Sequence, residues 1–377
     1  MGTKILIGDV MARLAELPDE SVHCVVTSPP YFGLRDYGTA TWEGGDPGCD
    51  HARPALGGDG KTSGLNAKYA DDGSFNGKQH PRMQQYADQC RKCGARRVDA
   101  QLGLEATPEE HVERMVEVFR AVRRCMRKDA TLWMNYGDVY YSDPSGFAGT
   151  DGSPFGNGGH ASRGAKAFGR QKRPRHPTLK PKDLVGMPWR VAFALQADGW
   201  WLRSDIIWAK PNPMPESVTD RPTKSHEHLF LLAKSATYHY DADAVREPST
   251  GEQKDYMASA RVYEAAVNEK RNGRLHGNRA NDVSTRNLRD VWTIPTEGFP
   301  GAHFATFPTK LVEPCIKAGC PEGGTVLDPF GGAGTVGLVA DRLRRNAVLI
   351  ELNPEYARMA EARIRGDCPM FAEVESA

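Results

Sequence analysis

A proline-rich turn near the N-terminus carries residue types suited to activating an amine. It runs Thr27-Ser28-Pro29-Pro30-Tyr31 and follows a short apolar segment. An aromatic amine is a poor nucleophile because its lone pair is delocalised into the ring, but two hydrogen-bond acceptors can hold it toward tetrahedral geometry. The Ser28 hydroxyl and the Pro29 carbonyl are candidate acceptors, preorganised by two prolines, and Tyr31 offers a face for stacking a flipped base. A surface turn closed by an aromatic side chain is the alternative.

A glycine-rich loop near the C-terminus is the second chemical segment. Between Thr325 and Gly337, the glycines at 332, 334 and 337 spell G-x-G-x-x-G between a strand pattern and a helix pattern. Such a loop lets the backbone approach a ligand and presents free N–H groups at a helix N-terminus. Glu351 ends the next strand pattern, where a carboxylate can accept hydrogen bonds from both hydroxyls of a ribose. These features predict a nucleoside-cofactor site, although any α/β protein can contain a tight turn of this kind.

Four potential metal ligands lie in a polar region between these segments. Cys90 and Cys93 form a C-x-x-C pair followed by Gly94, and Cys49 and His51 stand upstream. A C-x-x-C turn presents both sulfurs to one ion, and the four side chains would complete a tetrahedral Cys₃His set. Because the region is poor in apolar residues, a metal would also explain how it folds. We predict one structural zinc ion here, the alternative being four reduced residues on a loop.

Length, composition and charge limit the classes of protein to consider. The 377 residues allow one large domain or two ordinary ones, and 49 basic against 48 acidic side chains nearly cancel. Any nucleic-acid surface must therefore come from local segregation of charge. No apolar run approaches the roughly 20 residues that cross a bilayer, and the N-terminus turns polar too early for a secretory signal. We expect a cytoplasmic protein whose eight cysteines are thiols or metal ligands rather than disulfides.

Strand and helix patterns alternate around the two chemical segments. Apolar runs predict buried strands at 22–27, 131–136, 204–208, 229–233, 325–328 and 347–351. Helices are predicted to begin after the Thr107 capping box, at Pro188 and at Thr335. Strands that alternate with helices indicate an α/β fold with a doubly wound, mostly parallel sheet.

Long polar stretches divide the chain into predicted core segments and insertions. Four segments with apolar periodicity form the core: 1–38, 101–140, 185–249 and 290–377. Three polar segments are insertions: 39–100, 141–184 and 250–289. The first insertion holds the candidate zinc ligands. The other two are rich in Arg and Lys, which makes them candidates for phosphate contact and target recognition in DNA, although such runs are often only solvated loops.

Both chemical segments resemble motifs of the S-adenosylmethionine-dependent DNA amino-methyltransferases. Asp328–Thr335 matches every fixed place of the family's Asp-Pro-Phe-x-Gly-x-Gly-Thr signature, and Ser28–Tyr31 matches its [Asp/Asn/Ser]-Pro-Pro-[Tyr/Phe] catalytic motif. The catalytic motif comes first, which is the circularly permuted order of the β class. The resemblance implies a Rossmann-like methyltransferase fold with inserted DNA-recognition loops. It implies methyl transfer from S-adenosylmethionine to the exocyclic amino group of a flipped adenine (N6) or cytosine (N4) in duplex DNA.

The resemblance also implies roles for particular residues. The implied catalytic residues are Ser28, Pro29, Pro30 and Tyr31. The implied cofactor contacts are Asp9, Phe304, Thr306, Pro308, Asp328, Phe330, Gly332, Gly334, Thr335 and Glu351. Segment 303–310 departs from the family's common His-Pro-Thr-Gln-Lys-Pro form, and 206–213 resembles the loop near the flipped base. Serine at the first catalytic position is commoner in the family's cytosine enzymes, but the residues leave the target base open. The family further implies a homodimer encoded by a bacterium or a phage.

Three other functions compete with this interpretation. A nicotinamide-dependent oxidoreductase would account for the G-x-G-x-x-G glycines but leaves the Ser-Pro-Pro-Tyr turn unexplained. A non-catalytic, zinc-containing DNA-binding protein would account for the cysteine pairs and the basic stretches but leaves the cofactor loop unexplained. Methyltransferases that act on RNA or on protein use similar turns, mostly with the opposite order of motifs.

Overall fold

One nine-stranded sheet organises the part of the chain that the structure describes. The computed structural model describes residues 2–33, 39–51, 89–90, 92–141, 176–249, 284–297, 307–367 and 373–376. The strands are β1 Gly2–Ile7, β2 Val22–Thr27, β3 Thr41–Glu43, β4 Arg96–Val98, β5 Met126–Tyr136, β6 Trp201–Ala209, β7 His226–Ala233, β8 Glu247–Pro248, β9 Thr285–Arg286, β10 Val291–Thr293, β11 Thr325–Asp328, β12 Asn346–Glu351 and β13 Glu373–Ser376. The helices are α1 Val10–Glu16, α2 Pro108–Cys125, α3 Met187–Ala197, α4 Thr309–Gly319, α5 Thr335–Arg342 and α6 Pro354–Asp367.

The strand order interleaves the two ends of the chain. Across the sheet the strands run β10-β6-β7-β5-β2-β11-β12-β1-β13. Within this sheet, β7 is antiparallel to its neighbours β5 and β6. The other pairings described in the sheet are parallel. The predicted mostly parallel α/β fold is therefore confirmed. Because β2 lies beside β11, the turns that follow these two strands meet at one edge of the sheet.

Helices cover both faces of the sheet and form two apolar clusters. Apolar side chains of α1, α2 and α3 pack on one face, and those of α4, α5 and α6 pack on the other. Helix α2 begins as predicted: the Thr107 hydroxyl accepts from Glu110 N at 3.2 Å, and the Glu110 carboxylate accepts from Thr107 N at 3.4 Å. This capping box satisfies N–H groups that the first helical turn leaves unpaired.

Each predicted strand and helix is present, some with different ends. Strands β2 and β11 have the predicted bounds, whereas β5 begins at Met126, before the predicted start at 131. Helix α5 ends at Arg342 and is followed by β12. The elements that were not predicted are helices α1, α4 and α6 and strands β1, β3, β4, β8, β9, β10 and β13. Strand β13 pairs with β1, so the chain after Glu351 still contributes to the sheet.

The insertions are described only in part. Strands β3 and β4 pair within the first insertion, with Thr41 opposite Val98, and β8 pairs with β9. Residues 52–88, 142–175 and 250–283 lie outside the described residues, and with them most of both basic stretches. The domain boundaries thus stay predictions. Among the helices described, none is both long and apolar enough to cross a membrane.

Candidate active site

A cleft of about 860 Å³ opens where β2, β11 and β12 end. Most of the predicted catalytic and cofactor residues line it: Asp9, Ser28, Pro29, Pro30, Tyr31, Asp328, Phe330, Gly332, Thr335 and Glu351. Gly334 and Pro308 are buried and do not line the cleft. Phe304 and Thr306 are not among the described residues. The two chemical segments, far apart in sequence, therefore face one cavity.

The catalytic turn ends in a directed series of hydrogen bonds. Ser28 Oγ donates to Tyr31 Oη at 3.3 Å, and Tyr31 Oη donates to Glu227 Oε2 at 2.8 Å. Asn135 Nδ2 donates to both acceptors, at 2.6 Å to Tyr31 Oη and at 2.9 Å to Glu227 Oε2. Sequence reasoning missed Asn135 and Glu227. One available signal was the position of Glu227 two residues before the predicted apolar strand 229–233, because Glu is rarely buried without a partner.

A lysine neutralises the carboxylate at the end of this series. Lys210 Nζ donates to Glu227 Oε1 and lies 4.2 Å from the centroid of the Trp208 ring. Burial alone would raise the pKa of Glu227, but the Lys210 charge and the hydrogen bonds from Lys210, Asn135 and Tyr31 outweigh it and lower the pKa. Burial and the negative charge of Glu227 raise the pKa of Tyr31 well above its ordinary value. Glu227 is therefore ionised and Tyr31 neutral at physiological pH.

A second, fully buried network supports the catalytic turn from below. The Tyr31 ring stacks on Tyr136, with centroids 5.0 Å apart. Tyr136 Oη lies 2.5 Å from His111 Nε2, and His111 Nδ1 lies 2.7 Å from Glu105 Oε2. The pKa of Glu105 is lowered, in part by its hydrogen bond to His111, so the carboxylate is ionised and accepts from His111 Nδ1. At Gly103 (φ +92°), a Cβ would lie 2.8 Å from the Tyr31 carbonyl oxygen, so the close approach requires glycine.

We expect Tyr136→Phe to lower the free energy of unfolding by about 1–3 kcal/mol, because it leaves the buried His111 Nε2 without its hydrogen-bond partner. Urea denaturation of wild type and variant measures the loss. Tyr238→Phe is the matched control, since the Tyr238 hydroxyl accepts from Arg203 at 3.0 Å in a more exposed setting. Equal, small losses in both variants would contradict a supporting role for the Tyr136 hydroxyl.

Two carboxylates face the cofactor end of the cleft. Asp328 Oδ1 accepts from Thr27 Oγ1 at 2.7 Å and from Phe330 N at 3.0 Å. Burial nevertheless raises the pKa of Asp328 to about 7. The Glu351 oxygens accept from Gly332 N and Asn353 N, each at 2.8 Å. Burial also raises the pKa of Glu351, and each of its oxygens retains a lone pair for a ligand.

Two predicted cofactor residues, Gly334 and Asp9, have structural roles in helices next to the cleft. Gly334 (φ +74°) begins α5, and a Cβ there would lie 2.7 Å from the Ala360 Cβ of α6. Its lack of a side chain thus allows two helices to pack. Asp9 caps α1 by accepting from Ala12 N at 3.0 Å, and the preceding Gly8 N donates to Glu351 O at 2.9 Å. This last hydrogen bond joins the N-terminal segment to the cofactor strand.

The predicted metal ligands form a separate group beyond the cleft. Ligand atoms of Cys49, His51, Cys90 and Cys93 all lie within 4.8 Å of one another. None of these four residues lines the cleft.

Comparison with known sequences explains this combination of turn, loop and cleft. The profile of the N6/N4 family described as DNA methylase matches residues 22–362. The chain belongs to this DNA methylase family. The Type II methyltransferase M.Cfr9I from Citrobacter freundii is 40% identical over 367 residues, covering 97% of this chain and 89% of the relative. The Type II methyltransferase M.SmaI from Serratia marcescens is 38% identical, with 96% and 90% of the two chains covered.

Solved structures show the same fold at low sequence identity. The protein TTHA0409 from Thermus thermophilus, solved with S-adenosyl-L-methionine, has a TM-score of 0.51 and 20% identity, covering 100% of this chain and 99% of that one. The PvuII DNA methyltransferase, described as cytosine-N4-specific, has a TM-score of 0.53 and 17% identity, covering 96% and 86%.

Membership of the DNA methylase family decides between the functions considered above. The prediction of an S-adenosylmethionine-dependent DNA amino-methyltransferase is confirmed at the level of family and enzyme class. The oxidoreductase and the non-catalytic DNA-binding protein are excluded. The family includes enzymes that modify N6 and enzymes that modify N4, as its name states, and so leaves the base open.

Proposed function

We propose that this methylase transfers a methyl group to N4 of a cytosine flipped out of duplex DNA. The observation that carries the proposal is the single cleft that Ser28, Asp328 and Glu351 line together. The choice of cytosine rests on serine at the first catalytic position, which is commoner in the cytosine enzymes of the family.

In this proposal the hydrogen bonds of the catalytic turn make Ser28 Oγ an acceptor. Its proton is donated toward Tyr31, whose own proton is donated toward Glu227, so the lone pairs of Ser28 are left for the amine. A series of donors that ends on a carboxylate also polarises each oxygen along it, which strengthens the acceptor. The Pro29 carbonyl supplies the second acceptor. Both acceptors are stiffened by consecutive prolines, so they need little reorganisation.

The cofactor loop would hold S-adenosylmethionine, which supplies an electrophilic methyl group on a sulfonium. We propose that the Asp328 carboxylate faces the positive charges of this ligand and that Glu351 accepts from its ribose hydroxyls. The peptide N–H groups of Gly332 and Asn353 keep the Glu351 side chain in place for that role. When bound, this ligand would supply the methyl group that the amine takes up, and the methylated amine would release one proton to solvent. The products are S-adenosylhomocysteine and methylated DNA.

We further propose that the substrate is double-stranded DNA and that the enzyme works as a homodimer in the bacterial cytoplasm. Lys224 lines the cleft, and its ammonium group would favour a polyanion. The homodimer rests on the family resemblance alone. Light scattering of the purified protein tests it, and a monomeric mass at the concentrations used for assay would overturn it.

We expect DNA from cells that express this chain to contain N4-methylcytosine. Mass spectrometry of the digested nucleosides identifies the base, and sequencing that detects modified bases locates the recognition site. DNA from the same cells without the gene is the control. N6-methyladenine in its place would overturn the choice of base. Unmodified DNA from cells that contain folded, cofactor-binding protein would overturn the proposed reaction.

A further inference from the structure

We propose that Cys49, His51, Cys90 and Cys93 bind one zinc ion that fixes a wall of the catalytic cleft. The four residues come from two segments that flank residues 52–88, yet their ligand atoms lie within 4.8 Å of one another. This spacing suits a single ion. Three thiolates and one imidazole form a closed set of ligands typical of structural zinc.

Two of the distances between ligand atoms match the edges of a tetrahedral zinc site. Cys49 Sγ lies 3.9 Å from Cys90 Sγ, and Cys93 Sγ lies 3.5 Å from His51 Nδ1. Tetrahedral bonds of ~2.3 Å to sulfur and ~2.0–2.1 Å to nitrogen separate two sulfurs by ~3.8 Å and a sulfur from a nitrogen by ~3.6 Å. A disulfide would need the two sulfurs at ~2.05 Å. The group is thus arranged for an ion and not for a covalent bridge.

The backbone around the C-x-x-C pair is shaped to present both sulfurs. Cys90 N donates to Ala95 O at 2.7 Å, and Gly94 N donates to Cys90 O at 2.8 Å, which closes the turn. Gly94 has φ +78°. At Gly45 (φ +73°), a Cβ would lie 2.8 Å from Cys93 Sγ, so glycine is required beside this sulfur. A turn stabilised by its own backbone hydrogen bonds presents these sulfurs in fixed positions.

The imidazole is held from the opposite side. The Trp42 ring stacks on His51, with centroids 4.6 Å apart and an interplanar angle of 11°. His51 also adopts φ +46°, a left-handed conformation that costs a non-glycine residue energy unless its surroundings compensate. The stack and the strained backbone together direct Nδ1 toward the three sulfurs.

The zinc group is joined to the catalytic cleft through β3 and β4. Thr39, just before β3, lines the cleft. Three residues that follow β4 line it too: Ala100, Gln101 and Leu102. Thr39 Oγ1 donates to Asp99 Oδ1 at 3.1 Å, which ties the two strands together at the cleft. In the described part of 39–98, the buried apolar residues are Cys90 and Ala95. With so little apolar core, the metal would supply the cohesion of this wall.

We expect about one equivalent of zinc in full-length protein purified without chelator or affinity metal, measured by elemental analysis. Growth with cobalt should give the visible absorption of tetrahedral, thiolate-bound Co²⁺. Cys90→Ser and Cys93→Ser should each lower the metal content, whereas Thr41→Ala, at an exposed position of the neighbouring strand β3, should not. Wild type with less than about a tenth of an equivalent, or with iron in place of zinc, would overturn the site.

The proposed effect of the zinc ion on the cleft wall is tested by the rate of methylation. Removal of the metal should slow single-turnover methylation about tenfold to a hundredfold, because small displacements of a substrate-contacting wall are costly, while cofactor affinity stays within about a factor of two. Unchanged methylation by metal-free protein would overturn the role of the ion in the cleft wall. The metal content itself does not depend on the methylation assay, so failure of the proposed reaction and failure of the zinc site are distinguishable.

Discussion

Ser28→Ala slows methyl transfer about a hundredfold while affinity for the cofactor stays near that of wild type, because it removes one preorganised acceptor of the amino hydrogens. The cofactor carboxylates Asp328 and Glu351 bind their own partners and do not contact Ser28 through any hydrogen bond described. Single-turnover methylation of a duplex carrying the recognition site measures the rate. Calorimetry with the cofactor measures the affinity.

Ser21→Ala is the matched control for this change. The Ser21 hydroxyl donates to Pro18 O at 2.8 Å on the exposed surface before β2, outside the cleft. We expect it to leave both the rate and the affinity unchanged. Full activity in Ser28→Ala would show that the turn is structural and that the amine is activated elsewhere.

Asp328→Asn should lower affinity for S-adenosylmethionine about a hundredfold near pH 8. The asparagine Oδ1 can still accept from Thr27 and Phe330, so the substitution removes the charge and keeps the fold of the turn. Loss of one buried charge opposite a cation costs about 2–5 kcal/mol, and ~2.7 kcal/mol corresponds to a hundredfold change. Asp341→Asn, on α5 but outside the cleft, is the matched control. Unchanged affinity in Asp328→Asn would mean that Asp328 only stabilises the turn.

The same carboxylate should make cofactor binding depend on pH. Burial raises the pKa of Asp328 to about 7 in the free protein, whereas a bound cation favours the ionised form. Binding below that pH must therefore release a proton, and the affinity of wild type should fall about tenfold for each pH unit. Above it the affinity should level off. Calorimetry between pH 5.5 and 7.5 tests this, and Asp328→Asn should show no such fall. A wild-type affinity independent of pH would contradict the proposed contact.

The strands and helices that were predicted correctly are those with strong local patterns. Strands β2 and β11 have buried apolar centres, at residues 24–26 and 326–327, as expected where both faces of a parallel sheet are covered. The capping box of helix α2 is formed within four consecutive residues, Thr107 to Glu110. By contrast, β10 has three residues at the sheet edge, and α4 contains Pro314 and has no side-chain cap. Such elements are stabilised by packing on the sheet, which local sequence does not reveal.

The candidate site was predictable only where motifs specify it. The residues at 28–31 and 328–335 occur as contiguous motifs, and the structure brings most of them to one cleft. Asn135, Lys210 and Glu227 gain their positions because β5, β6 and β7 pair, with Asn135 opposite Leu229 and Trp208 opposite Glu227. Long-range pairing of this kind is invisible to a motif. Gly334 differs in that the motif identified it as a cofactor residue, whereas in the structure its lack of a side chain allows α5 to pack against Ala360 of α6.

The interleaving of the chain ends has a consequence for synthesis on the ribosome. Strand β2 emerges early, but Cys24 pairs with Val326 of β11, and Ile7 of β1 pairs with Glu351 of β12. These partners emerge roughly 300 residues later, on the order of 15–60 s at ordinary rates of translation. Strand β5 can pair with one edge of β2 much earlier, but until β11 emerges the other edge of β2 has no partner. The cofactor cleft cannot form before Glu351 has left the exit tunnel, so translation itself sets the earliest moment at which DNA can be methylated.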